Sequence, residues 1–205
     1  MAEVNSSTNE VEENILIIQN AQYDMRLAYL DGSCGVLASG FIWLVSSFIA
    51  IYLAPNKAVF ALLIGGVFIY PLSILLNKSF GASGMHRKDN PLGNLAMEGT
   101  ISMILCMSLA YMLSLQKLEW FFPGMLLIIG GRYLTFASLY GIRLYWALGI
   151  CLAVAAYFLF ILNAQSYIST LVGSGIEISF GLVLLVLAKK VKKPELIEKK
   201  SGLSL

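Results

Sequence analysis

The chain is 205 residues long, 58% hydrophobic and only 13% charged, with a net charge of +2 and a mean hydropathy of +0.77. Those values exclude an ordinary soluble domain, which would cover its core with charge; charge-free stretches of span length point to a lipid bilayer as the solvent. The basic residues gather at Lys189, Lys190, Lys192 and Lys193 instead of interleaving with aromatics, which speaks against nucleic acid as a partner and for a topology signal that also attracts anionic lipid head groups.

Residues 1–14 are polar and acidic and are expected to be disordered. No basic stretch leads into an apolar one there, so no cleavable signal peptide is expected. Residues 15–32 place Ile17, Ile18, Ala21, Met25, Ala28 and Tyr29 on one helical stripe, with Gln19, Gln22 and Arg26 elsewhere. This predicts a short amphipathic helix lying at the membrane interface or packed on the end of the bundle. Asp31-Gly32-Ser33 ends it.

A six-helix transmembrane domain follows over residues 33–188. The first span, 34–54, turns at Pro55-Asn56-Lys57 into the second, 58–76, where Gly65-Gly66 and Pro71 are breakers that a membrane helix tolerates and Pro71 predicts a kink. Residues 77–94 form the longest internal loop and carry His86, Arg87, Lys88, Asp89 and Asn90. The third span, 95–115, and the fourth, 120–140, opened by the interfacial aromatics Trp120, Phe121 and Phe122, are joined by a short turn. The fifth, 144–162, and the sixth, 168–188, are joined by Asn163-Ala164-Gln165-Ser166-Tyr167. Short turns impose three antiparallel hairpins, and residues 189–205 form a basic tail. With that tail inside, the inner loops carry Lys78, Arg87, Lys88 and Arg143 against Lys57 and Lys117 outside, which places the protein in the cell membrane with both termini cytoplasmic.

The hairpins share glycine marks. Gly40 and Gly66 are 26 residues apart, as are Gly149 and Gly175, and Gly99 and Gly131 are 32 apart. Three parallel repeats around an axis would suit a substrate path, while ordinary close helix packing explains the same glycines.

Charge inside a bilayer costs roughly 2.5 to 3.5 kcal/mol per residue on insertion scales, so each instance needs a partner or a wet cavity. At about 1.5 Å per residue, Arg132 lies roughly 18 Å and Glu177 roughly 13 Å from the outer ends of their spans. Similar depth predicts that they face each other or share a cavity, either as a site for an anion, a cation or a proton, or as a salt bridge that fixes helix register. Glu98 lies about one turn from the inner face, and Tyr133 and Thr135 offer hydroxyls beside Arg132. These five residues are the candidate solute-binding set. His86, Asp89 and Asn90 are loop candidates at the cytoplasmic face; the single histidine has no serine partner for nucleophilic chemistry. Cys34, Cys106 and Cys151 are far apart, so neither a metal site nor a cofactor is expected.

The run Asp89-Asn90-Pro91-Leu92-Gly93-Asn94-Leu95-Ala96-Met97-Glu98-Gly99-Thr100, and the stretch from Phe122-Pro123 through Gly130-Gly131-Arg132-Tyr133-Leu134 to Tyr140-Gly141, resemble a bacterial family of membrane proteins classed as a domain of unknown function. The resemblance covers the chain from about Tyr23 onward. It implies a multi-pass membrane protein, singles out Glu98 and Arg132 as motif positions, and brings no activity or substrate. Three functional readings follow. The first is a carrier or channel-like protein for a small solute with a midplane polar site. The second is a non-transporting assembly, immunity or regulatory partner, and the third a membrane-embedded enzyme acting on lipid.

Overall fold

Lipid offers a backbone no hydrogen-bond partners, so a span must satisfy its amides within itself. Accordingly, the computed structural model, which describes the backbone of residues 2–201 and the side chains of residues 14–190, consists of helices and short turns with no strand among the described residues. The helices are α1 (Ala2–Tyr29), α2 (Ser33–Tyr52), α3 (Pro55–Ser79), α4 (Leu92–Gln116), α5 (Phe121–Tyr140), α6 (Leu144–Ile161) and α7 (Ser166–Ser201). Six segments are long and apolar enough to cross a membrane: Asn14–Tyr52, Pro55–Ser79, Leu92–Gln116, Leu118–Tyr140, Leu144–Ile161 and Ser166–Lys190. This is the architecture of a multi-pass membrane protein.

The helices arrange as two facing triplets. In one, α2 packs against both α3 and α7; in the other, α5 packs against both α4 and α6; α5 and α6 in turn touch α7. Close approach is bought by glycine at one place above all: a Cβ on Gly130 of α5 would lie 2.9 Å from the carbonyl oxygen of Gly149 on α6, and one on Gly149 only 2.7 Å from that of Gly130. Between the triplets Trp43, Phe121, Phe122, Leu126, Leu148 and Leu152 are fully buried. By contrast, α4 buries only Ala110, and α3 and α4 present Ile64, Phe68, Ile104 and Leu105 outward, as lipid-facing surfaces do.

The join between α1 and α2 is a buried left-handed turn. Leu30, Asp31 and Gly32 have φ of 49°, 58° and 79°, and a Cβ on Gly32 would meet the Tyr140 ring at 2.8 Å, so only glycine fits there. Asp31 accepts from Arg26 Nε at 2.7 Å, its carbonyl accepts from the Tyr145 hydroxyl at 2.7 Å, and Ser33 Oγ donates to the Leu30 carbonyl. Of the expected α1 stripe, Ala21, Met25 and Ala28 are buried, whereas Ile17 and Ile18 are exposed. α1 begins at Ala2, well before residue 15; α3 passes Pro71 as one helix; and α4 begins at Leu92, earlier than expected, because Asn90 Oδ1 accepts from the Leu92 amide and starts the helix there. α7 continues to Ser201, but the side chains of the tail beyond Lys190 lie outside the described residues.

Candidate functional site

Helices that do not fill the space between them leave a cavity, and one of about 460 Å³ lies between α2 and α3 on one side and α4 and α5 on the other. That volume is within the range of small-molecule sites. It extends inward from the end of the bundle that carries residues 80–91. Met107 and Met125, at its deep end, are each fifteen residues, or about 22 Å, from the ends of α4 and α5 on that side. Trp43 and Leu62 complete the deep end. The walls are mainly apolar, and five of the chain's eight methionines line them: Met25, Met97, Met103, Met107 and Met125. Thioether side chains are unbranched and polarizable, so such a wall adapts to the shape of what it holds.

One cation stands in this apolar wall. Arg132 projects from α5, where its Nη2 donates to Thr100 Oγ1 of α4 at 2.9 Å, and its Cζ lies 5.2 Å from the centroid of the Phe136 ring. Thr100 is itself anchored, donating to the Ala96 carbonyl at 2.8 Å. Nη1 of Arg132 is buried and has no hydrogen-bond partner. The ion pairs among the described residues are Arg26–Asp31 and Arg87–Asp89, so no carboxylate answers Arg132. A second cavity residue, Trp43, has a buried indole N–H that likewise lacks an acceptor. Arg132 is eight residues, about 12 Å, from the end of α5, whereas the Trp43 ring lies at the deep end, 6.5 Å from the ring of Phe122, which is ten residues from Arg132 along α5. A buried guanidinium nitrogen without an acceptor, in a cavity that no carboxylate lines, describes a place for an acceptor-rich group.

Behind this wall lies a separate polar contact. Tyr133, which lines the cavity, donates its hydroxyl to Glu177 Oε1 of α7 at 3.0 Å. Ser39 of α2 hydrogen-bonds the same carboxylate. Glu177 is fully buried, Oε2 has no partner, and the residue does not line the cavity. The α2–α7 seam continues away from it through Ser174, whose Oγ donates to the Gly40 carbonyl at 3.0 Å, and the buried Ser169 and Ser46.

Residues 80–91 cap the mouth. His86 lines the cavity and shares a hydrogen bond of 2.8 Å through Nδ1 with the Tyr29 hydroxyl. The small size of Gly93 makes room for its ring, since any side chain there would collide with it. α1 holds the cap down. Asn90 Nδ2 donates to the Ala21 carbonyl at 2.9 Å and to Asp24 at 2.8 Å, the Arg87 amide donates to Asp24 at 3.0 Å, and the Gly84 amide to the Ala28 carbonyl at 2.9 Å.

The predicted residues therefore separate. Arg132, Tyr133 and His86 line the cavity. Arg132 and Glu177 do not form the pair that their depths suggest: residues 132 and 133 leave α5 about 100° apart, so Tyr133 takes the face toward α7 while Arg132 takes the face toward α4. Glu98 is exposed and off the cavity. Thr135 Oγ1 donates to the Arg132 carbonyl at 2.7 Å, within α5. Asp89 is exposed, paired with Arg87 at 2.8 Å, and the hydrogen bond from that guanidinium holds its carboxyl below the ordinary value. Asn90 is buried as a tether of the cap. Sequence reasoning passed over Thr100 and Trp43 as site residues. Thr100 closes the Asp89–Thr100 run two residues after Glu98, and a hydroxyl in that position of an apolar helix was its only signal; Trp43 had none.

Residues 18–187 match the DUF7010 family, described as a family of unknown function, and the chain belongs to it. No curated protein and no solved structure matches the chain.

Proposed function

We propose that this member of the DUF7010 family is a carrier that binds a small organic anion at Arg132. The observation that supports the reading is the unpartnered Nη1 of Arg132 in an apolar cavity that also holds the unpartnered indole N–H of Trp43. A guanidinium at mid-membrane costs roughly 2.5 to 3.5 kcal/mol. The Thr100 hydroxyl and the Phe136 ring offset part of that, and a bound anion offsets more, through the two-pronged geometry that suits guanidinium to carboxylate. The lining of the cavity stops at Trp43, Leu62, Met107 and Met125 and includes no residue of 44–61 or 108–124 at the far end of the bundle, an arrangement that favours a carrier, which needs one open side at a time, over a channel, which needs both.

The rest of the reading concerns placement. The bundle is taken as three antiparallel hairpins, α2–α3, α4–α5 and α6–α7, with α1 lying along the interface. The protein is assigned to the cell membrane of a bacterium with both termini cytoplasmic, on the balance of lysine and arginine between loops, and the tail is assigned to anionic head groups. A lipid-acting enzyme draws less support, because Glu98, His86 and Asp89 have separate surroundings: His86 bonds Tyr29, Asp89 bonds Arg87, and Glu98 stands exposed.

The experiment is a titration of the purified protein in nanodiscs of zwitterionic lipid with organic monocarboxylates. Saturable binding raises the unfolding temperature. The rise is expected in the native chain and in Arg132→Lys, and is expected to vanish in Arg132→Gln. An equal rise in Arg132→Gln overturns the assignment of the site. Uptake of the bound carboxylate into proteoliposomes is expected as well, and binding without uptake overturns the carrier assignment.

A further inference from the structure

The route into the cavity is visible in the packing of its walls. α3 lies along α2, and α4 along α5, but α3 and α4 barely touch each other. The gap between them is bounded at both ends: α1 reaches both helices at one end, and the 3₁₀ turn Leu118–Trp120 meets α3 at the other. What remains is a window in the side of the bundle. Tyr70 on α3 and Met97 on α4 both line the cavity and are also 62% and 60% exposed, so the cavity reaches the outer surface between these helices. Gly66 lines it at mid-length of α3, and a Cβ built there meets nothing within 4 Å, so open space lies directly against the backbone. The aqueous mouth, in contrast, is capped by His86 bonded to Tyr29.

A window that faces the hydrocarbon of the bilayer admits what already dissolves in it. Beside Arg132 and a few polar side chains, Ser39, Ser73, Asn77, His86 and Thr100, the chamber behind it is lined mainly by methionines and by aliphatic and aromatic side chains, which suit an alkyl chain. Arg132 lies about 12 Å from the end of α5, deep enough that a ligand reaching it must bring its charged group well below head-group level. From these features we infer that the ligand is a single-chain anionic amphipath, a carboxylate with an aliphatic tail, which enters from the lipid between α3 and α4, sets its carboxylate on Arg132 and lays its chain against the methionines. This rests on the reading of Arg132 as an anion site and adds the ligand class and the direction of entry.

Trp43 provides a reporter, because it lines the chamber yet is 0% exposed, out of reach of a quencher dissolved in the surrounding lipid. Replacing the other two tryptophans, Trp120→Phe and Trp146→Phe, leaves Trp43 as the sole emitter. In zwitterionic nanodiscs, 12-bromododecanoate should quench it saturably. The corresponding alcohol, 12-bromododecanol, and the Arg132→Gln variant with the acid should each bind about tenfold more weakly or worse, the loss expected for one charge-assisted hydrogen bond. Dodecanoate should displace the probe, and acetate should not at comparable concentration. Gly66→Phe fills open space without a clash at its Cβ, and should slow or abolish quenching while keeping the unfolding transition; Gly66→Leu is the smaller block.

The outcomes separate the two levels. If acetate displaces the probe as well as dodecanoate does, the anion site stands and the amphipath is refuted. If Arg132→Gln binds the acid as tightly as the native residue, the anion site itself falls. If both glycine variants quench at the native rate and extent, entry between α3 and α4 is wrong.

Discussion

The Tyr133 hydroxyl donates to Glu177 at 3.0 Å, while Arg132, its neighbour in the chain, turns to Thr100 on the other side of α5. One residue step thus divides the polar interior into a cavity wall and a helix seam. Tyr133→Phe should leave Glu177 with Ser39 as its remaining side-chain donor and lower stability by about 1 to 3 kcal/mol, the cost of stranding a buried polar group. Because removing both partners costs less than stranding one, Tyr133→Phe combined with Glu177→Met should be milder than the sum of the single changes. Thermal unfolding of the four proteins in one detergent measures this, and strict additivity would show that the two residues do not act as a unit.

Glycine should matter where backbones meet and not where space is open. Gly149→Ala must displace the Gly130 carbonyl or the Leu134 side chain, 2.6 Å from the new Cβ, and is expected to cost about 1 to 3 kcal/mol. Gly66→Ala meets nothing and should unfold at the native temperature or slightly above, since alanine is the better helix former. Equal losses at both positions would contradict the packing described for α5 and α6.

The cap depends on Asn90, whose amide holds Ala21 and Asp24 and starts α4 at Leu92. Asn90→Ala should free residues 80–91 from α1. Amide exchange at Gly84 and Arg87, whose N–H groups bond Ala28 and Asp24, should speed up while that of the α5 core stays slow. Unchanged exchange at those two amides would mean that α1 does not hold the cap.

A chain that crosses a membrane six times ends on the side on which it began. A reporter fused after Leu205 and one inserted in residues 163–167 should therefore signal from opposite sides of the membrane, with the first cytoplasmic. Signals from the same side would remove a span from the count.

The spans themselves were legible because hydropathy is a one-dimensional property and each apolar run is closed by proline, asparagine or charge. Depth was legible too, since it follows from rise per residue. Azimuth was not: nothing in the order of Arg132, Tyr133 and Glu177 tells which face of α5 turns to α7, and that angle decides whether the two charges meet. The glycine marks illustrate the same limit. Gly40 packs on α7, Gly99 on Thr135 of α5 and Gly149 on Gly130 of α5, while Gly66, Gly131 and Gly175 meet nothing, so equal spacing along the chain carries no common partner. The break at Asp31-Gly32 was legible as a turn; its burial under Tyr140 and Tyr145 depends on residues more than 100 positions away.

α4 buries a single residue, Ala110, and leans on α5 alone for most of its length. A helix supported on one flank takes its inclination from the lipid as much as from the protein, because a helix of 25 residues is longer than a typical hydrocarbon layer and can tilt within it. Membrane thickness is therefore a mechanical input to this fold: a thinner bilayer inclines α4 further against a α3 held fast by α2, and a thicker one draws it upright.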